Sequence, residues 1–345
     1  MKDKNPLISI ITPTYNHEKY IEKCINSVIN QTFKNWEMII IDDKSQDNTT
    51  KIINHFSDNR IILIEHENNY GLKNLSKTYN EALQIANGDY IAILEGDDFW
   101  PVKKLEQQIA CFNYGNIVLS YGRWVIVDKD DNELKEFFVN KKFSNLFSNK
   151  SLVVYEDLLV KDFFIQSSTV LIKKDYLLKI GGFLQPDDIE AVDYPTFLEL
   201  SLLGKFFGFS DFLGYHRRHA FNSSVIKILE IVEKKNLIMD SFIKKNNYLL
   251  KNTFSFKLKF INNKNCDMVY ACWIRGRNFN KNKKFLEARY SFIKGIIFGI
   301  KIPIIKNNLL KNKIKCTIGL IINFFHLDLQ KIIDLIPIKK SVFFE

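Results

Sequence analysis

Carboxylates crowd together at one place in this chain. Leu94-Glu95-Gly96-Asp97-Asp98 ends a short apolar run, Tyr90–Leu94, so three acids fall within four residues at the end of a buried strand. Like charges this close repel, at a cost in free energy unless a cation sits among them. Mg2+ or Mn2+ takes carboxylate oxygens and keeps positions open for phosphates. Such an ion would offset the charge of a departing diphosphate. A solvated acidic turn with a helix cap is the competing reading. A second cluster, Asp42-Asp43-Lys44-Ser45-Gln46-Asp47, follows the apolar run Trp36–Ile41. A carboxylate there could accept a base N–H or a ribose hydroxyl. Asp and Ser also cap helices, and Asp47 reads as such a cap. The third candidate is Pro13-Thr14-Tyr15-Asn16, where Tyr15 either stacks on a planar base or fills the core beneath the turn.

These residues need elements to carry them. Leu7–Thr12, Trp36–Ile41, Ile61–Glu65 and Tyr90–Leu94 read as strands. Helical spacing follows over 17–30, 47–56, 73–86 and from Pro101 to about Phe112. Strands that are apolar runs and alternate with helices predict a parallel sheet covered on both faces. Ligands bind beyond the carboxyl ends of such strands, where the acids lie. Further on, Ile117–Val127 reads as a strand or hairpin interrupted at Gly122. Ser167–Ile172 reads as a strand, and Asp193–Leu203 as a helix. From 226 onward the pattern is helical, and Asn278–Ile293 is similar to one helix pair of a tetratricopeptide-type repeat.

Composition excludes several classes. The chain has 345 residues, 46% hydrophobic and 26% charged, which fits globular protein. Its five cysteines are scattered with no C-x-x-C pair, so neither a zinc site nor a disulfide framework is suggested. No P-loop, no G-x-S-x-G elbow and no G-x-G-x-x-G after the first strand occurs. No signal-peptide pattern and no long uncharged apolar run is present, so a cytoplasmic location is expected. Residues 225–345 hold 24 Lys+Arg against 8 Asp+Glu, while the rest of the chain holds 25 against 31. A basic tail on a mildly acidic front suggests a polyanionic surface as partner, and a solvated basic face is the alternative.

Taken together, ISIITPTYNHEKYIEKCINSVINQTFKNWEMIIIDDKSQDNT and the later GDYIAILEGDDFW closely resemble the family-2 glycosyltransferases over roughly residues 7–225. The resemblance implies a GT-A fold and a nucleotide-sugar donor. On it, Pro13, Tyr15, Asp42 and Asp43 match positions lining the nucleotide pocket, with Asp43 the carboxylate that reads uracil. Lys73 falls where the family often places a basic residue near the nucleotide. Glu95 and Asp97 match the D-x-D motif, here in the variant form L-E-G-D-D. Asp97 is then the expected metal ligand, with Asp98 beside it. Val192-Asp193-Tyr194-Pro195 resembles the late acidic motif and makes Asp193 the expected general base. It also opens a helix, so an N-cap is the alternative; Asp187, Asp188 and Glu190 compete for the role. Tyr215-His216-Arg217-Arg218-His219 resembles the closing basic motif. There Arg217 or Arg218 would face the diphosphate and His219 would add a metal or phosphate contact.

The expected organisation is a GT-A catalytic domain at 1–225 and a basic helical region at 226–345. The expected reaction is an inverting, Mn2+- or Mg2+-dependent transfer from a UDP-sugar-type donor to a hydroxyl of a glycan or lipid-linked acceptor. Its setting on the family's pattern is bacterial surface polysaccharide: O-antigen, capsule or lipooligosaccharide. Apolar clusters between lysines over 290–315 would suit peripheral contact with the inner membrane surface, or packing within the protein. Two rivals are a non-catalytic nucleotide-sugar-binding protein on the same fold and a nucleic-acid-binding protein acting through the tail. No nucleic-acid motif is present, so no nucleic-acid partner is expected.

Overall fold

The computed structural model describes residues 5–136, 151–153, 155–160, 165–186, 189–218, 228–246, 248, 254–300 and 314–321. Contacts divide the chain into two compact units, 1–158 with 163–219, and 159–162 with 220–345.

The first unit grows from β1 (Ile8–Thr14), α1 (Ile21–Ile29), β2 (Trp36–Asp42), α2 (Thr49–Asn54), β3 (Ile61–Glu65), α3 (Leu75–Ile85) and β4 (Tyr90–Ile93). Strands β3, β2, β1 and β4 lie side by side in that order, all parallel. Ile8, Ile10 and Ile11 of β1 and Met38 through Ile41 of β2 are fully buried. Each such side chain contributes about 1.5–3 kcal/mol relative to an exposed one. Both faces of these strands are covered, so their apolar residues run on without alternation. Helix α1 turns Ile21, Cys24, Ile25 and Val28 to the same core.

The second half of the sheet is mixed, in keeping with the mostly parallel sheet expected of a GT-A fold. After α4 (Lys104–Ile109) come β5 (Ile117–Val127), β6 (Glu133–Glu136), β7 (Ser151–Val153), α5 (Tyr155–Val160), β8 (Leu171–Lys173), α6 (Lys174–Lys179), α7 (Asp193–Ser201) and β9 (Lys205–Arg217). The described sheet is nine-stranded and continues β4–β8–β5–β9–β7, with β6 on β5. Strand β8 is antiparallel to both β4 and β5, whereas β5 and β9 are parallel. Gly122 does not break β5; a register shift against β9 between Tyr121 and Arg123 absorbs it. The span 167–172 is only half a strand. Ser167–Thr169 forms a 3-10 turn in which Thr169 Oγ1 donates to Gln166 O, and β8 starts at Leu171. Helices α1, α2, α3 and α4 all start later than their spacing predicted. Turns precede them, including Asn16 at φ 55 and the 3-10 turn Leu72–Asn74.

The second unit is helical: α8 (Ile228–Lys245), α9 (Phe254–Lys281), α10 (Phe285–Ile300) and a helix over 314–321. Helices α9 and α10 form a hairpin around Lys283 at φ 59. Val269, Trp273, Ala288, Phe292 and Cys316 make its core.

Where β4 begins, Gly88 lies directly against β1. Its N–H donates to Ser9 Oγ at 2.8 Å, and a Cβ would come within 2.5 Å of Ser9 N and 2.8 Å of Leu7 O. Backbone cannot yield as a flexible side chain would. Gly88→Ala is therefore expected to lower stability by about 1–3 kcal/mol, read as a shift in the urea midpoint at constant slope.

Candidate active site

The acidic run folds into a turn stitched to the end of β1. Leu94 N donates to Ile11 O and Gly96 N to Pro13 O, so the run prolongs the parallel ladder past β4. Asp98 N then donates back to Glu95 O at 3.0 Å and closes the turn. Gly96 is the only residue type that fits, because a Cβ would stand 2.5 Å from Thr14 Oγ1 and 2.7 Å from His17 Nδ1.

Each acid of the turn has a different environment. Glu95 Oε1 accepts from Ser167 Oγ at 2.6 Å and Tyr79 Oη at 3.2 Å. Its Oε2 is buried and has no hydrogen-bond partner. Burial, and then the charge of Asp98, push the Glu95 carboxyl up to about 7. Asp98 is buried; Oδ1 accepts from Arg217 N at 2.9 Å, and Oδ2 lies 3.3 Å from His216 Nδ1. Burial opposes a charged His216, but the Asp98 carboxylate outweighs it and holds the imidazole above its usual range. Asp97 is half-buried between them, and its carbonyl accepts from Arg217 Nε at 2.8 Å.

Strand β9 thus comes back to the acidic turn from about 120 residues away. Phe99 and Tyr215 exchange backbone hydrogen bonds at 3.3 and 2.9 Å, and their rings stack 4.4 Å apart. Arg217, expected at a diphosphate, points inward and is 2% exposed. Its Nη1 donates to Asp128 O at 3.0 Å and pairs with Asp131 Oδ1 at 2.5 Å, and the guanidinium lies over Tyr20. The reason is local: Asp97, Asp128 and Asp131 supply more oxygens to a buried fork than a surface position would. Arg218 is exposed. His219, Asp187 and Asp188 lie outside the described residues.

The second cluster divides its labour. Asp42 is buried and accepts from Ser45 N at 2.7 Å and Ser45 Oγ at 2.5 Å. That bonding builds the turn after β2, where the sequence reading placed Asp42 at the nucleotide. Asp43 Oδ1 accepts from Tyr70 N and His66 Nδ1, each at 2.8 Å, and Oδ2 from Gly71 N at 2.8 Å. A carboxylate has about four lone-pair directions, so one on Oδ2 remains to accept from a ligand. His66 Nε2 lies 3.0 Å from Glu81 Oε2, so the ring bridges two carboxylates. Asp47 is not the N-cap of α2. It accepts from Thr49 N and Glu18 N and ties the turn to the segment after β1. Tyr15 is exposed, Pro13 half-buried at the end of β1, and Lys73 exposed on the 3-10 turn before α3.

Asp193 is the first residue of α7, not its N-cap, which is Val192. Its carboxylate accepts from Tyr194 N at 2.7 Å, and burial pushes it up to about 6. Tyr79 donates to Glu95 and also feels the charge of Asp193. Burial first, then the charges of Glu95 and Asp193, raise its phenol well above the ordinary value. Sequence reasoning missed Tyr79, Ser167 and His66. Tyr79 carried only a helical-spacing signal, and Ser167 and His66 carried none.

Among the described residues, no three His, Cys, Asp or Glu side chains converge as a metal cluster. A divalent ion held by one or two carboxylates with a diphosphate completing its shell needs no such cluster. Asp97, half-buried in the turn with Asp98 beside it, offers that donor chemistry.

A parallel sheet with acids beyond its carboxyl edge and a mixed second half defines the class: a GT-A nucleotide-sugar transferase fold. Two solved structures share it. One is S. aureus TarS 1–349 in complex with UDP-GlcNAc, with TM-score 0.53 and 18% identity over 90% of this chain and 92% of that one. The other is the mannosyltransferase PcManGT from Pyrobaculum calidifontis with GDP-Man and Mn2+, with TM-score 0.55 and 14% identity over 94% and 88%. Residues 9–170 match the family described as Glycosyl transferase family 2. Two Escherichia coli relatives are named UDP-Glc:alpha-D-GlcNAc-diphosphoundecaprenol beta-1,3-glucosyltransferase. WfgD is 37% identical over 194 residues, 54% of this chain and 73% of that protein. WfaP is 32% identical over 265 residues, 73% and 98%. TuaG of Bacillus subtilis, a putative teichuronic acid biosynthesis glycosyltransferase by name, is 33% identical over 202 residues, 58% and 74%. The chain belongs to glycosyl transferase family 2 and is a glycosyltransferase.

The two neighbouring arginines separate by their surroundings. Arg217→Ala is expected to destabilise the protein by about 3 kcal/mol, because it removes charged hydrogen bonds from a buried site. Arg218→Ala is expected to change stability by less than about 0.5 kcal/mol. Chemical denaturation of both variants measures the difference.

Proposed function

We propose that this glycosyltransferase transfers a sugar from a UDP-sugar to a hydroxyl of a lipid-linked glycan, with inversion and with a divalent metal, in assembly of a bacterial surface polysaccharide. The observation that carries the mechanism is two half-buried carboxyls held above their ordinary range: Glu95 in the acidic turn, bonded by Tyr79, and Asp193 at the start of α7, whose charges both bear on the Tyr79 phenol. The names of WfgD and WfaP support the UDP-glucose-type donor and the diphosphoundecaprenol-linked acceptor. The metal accords with the Mn2+ named for PcManGT.

Each residue takes a role suited to its surroundings. Asp43 accepts an N–H of the base with its remaining lone pair, and His66 with Glu81 behind it holds that carboxylate in place. Tyr15, exposed beyond β1, stacks on the base beside Pro13. Lys73 and Arg218 are the exposed cations on offer to the diphosphate. Glu95 Oε2 accepts a ribose hydroxyl, and Asp97 is the metal ligand. Asp98, bonded to β9, fixes the orientation of the turn. A bound divalent ion supplies Lewis-acid stabilisation of the leaving diphosphate. Asp193 removes the acceptor hydroxyl proton. A carboxylate raised to about 6 is a stronger base than an ordinary one and still ionised at neutral pH. The protein works on the cytoplasmic side of the membrane that holds its acceptor.

Turnover of a panel of nucleotide-sugars with Mn2+ or with EDTA tests the reading. Metal-dependent turnover of one UDP-sugar, abolished in Asp97→Ala, is expected; failure to bind any nucleotide would refute it. Asp193→Asn is expected to lower kcat by about 10²–10⁴ with little change in donor binding. The base must be deprotonated, so wild-type kcat/KM should fall about tenfold per pH unit below about 6 and level off above it. His66→Ala is expected to raise donor KM roughly tenfold with a smaller change in kcat, because Asp43 loses a charge-assisted bond.

A further inference from the structure

Helix α10 has two apolar faces. One buries Ala288, Ser291 and Phe292 in the helical unit. The opposite one carries Leu286, Tyr290, Ile293 and Ile297, which are 75%, 62%, 46% and 50% exposed. Their spacing of four, three and four places all four within about 60° of one another around the helix, in a row about 16 Å long. Scattered exposed apolar residues are ordinary, but an unbroken row over three turns marks a binding surface.

We propose that this row seats α10 in the surface of an anionic bilayer, and so brings the enzyme to the membrane that carries its acceptor. Charge favours that occupant. Residues 225–345 carry 24 Lys+Arg against 8 Asp+Glu, and Lys283 and Lys284 stand exposed at the start of α10. Glu287 is the one acid on the helix, and the basic Arg289 follows it closely. Tyr290 has the amphipathic ring favoured at the water–lipid boundary. The helix 314–321 also exposes isoleucines, Ile314 and Ile321 at 49% and 55%. None of the described helices is long and apolar enough to cross a membrane, so α10 would lie along the surface. A second copy is the weaker candidate: four side chains in one row fall well short of the roughly 20–30 residues per side of a stable protein interface.

The proposal rests on the reading of a lipid-linked acceptor only for its purpose, and its binding test needs no acceptor. Full-length protein is sedimented with phosphatidylcholine vesicles, with or without one-third phosphatidylglycerol. The wild type is expected to pellet with the anionic vesicles and to be released by high salt. Ile293→Ser/Ile297→Ser is expected to weaken binding at least about tenfold while its thermal melt and donor turnover stay at wild-type levels. Absence of wild-type binding, or equal binding to neutral vesicles, would overturn the proposal. So would a wild-type dimer that the double substitution converts to monomer, which assigns the row to a second copy. Metal-dependent donor turnover in protein that ignores vesicles would leave the catalytic reading standing alone.

Discussion

The constraint on which the catalytic unit depends is the crowding of three carboxylates in one tight turn. At Glu95, Asp97 and Asp98 the chain gathers negative charge where water is scarce, and unrelieved this would drive the turn apart. Relief arrives through β9. Its last residues offer Asp98 a backbone N–H and an imidazole, and they close Asp97's carbonyl onto a buried guanidinium. The parallel half of the sheet supplies the platform, and the mixed half supplies the counter-charge. That is why β5 and β9 must run parallel and far enough to reach the edge where β1 and β4 end.

The same crowding sets the acidities. Glu95 is held near neutrality by burial and by Asp98, and keeps one oxygen without a protein partner. Asp193 is raised by burial alone, since its bond from Tyr194 N opposes the shift. Tyr79 feels the charge of both and does not itself ionise in the neutral range. Two carboxyls with distinct causes for their shifts can hold distinct roles on one site.

Much of this was readable in the residues. The apolar runs of β1, β2 and β4 announced buried parallel strands, and the acids after them sat at the edge where ligands bind. The reading failed where side chains bond to backbone rather than follow a period. Asp42 looked like a ligand group but builds its own turn with Ser45, and Ser167 looked like strand but belongs to a 3-10 turn beneath Glu95. Arg217 was placed at the phosphates by its match to the closing basic motif, whereas the carbonyls of Asp97 and Asp128 and the carboxylate of Asp131 hold its guanidinium inside. His66 has no local signal, and Tyr79 has only helical spacing. Their importance lies in which groups the topology sets around them. Strand β9, with its mixed Gly, Phe and Ser, shows no clean alternation because its two ends face different surroundings.

The staple between Phe99 and Tyr215 also has a consequence for how the protein is made. At roughly 5–20 residues per second of synthesis, the acidic turn emerges on the order of ten seconds before Arg217, which bonds Asp98 and the Asp97 carbonyl. During that interval the parallel half can assemble from neighbouring segments, but its edge stays electrostatically incomplete. The nascent chain therefore acquires a sheet first and a fully bonded acidic turn later. Truncation just before residue 217 would leave the turn its bonds to β1 but take away the groups that Arg217 gives to Asp98 and to the Asp97 carbonyl.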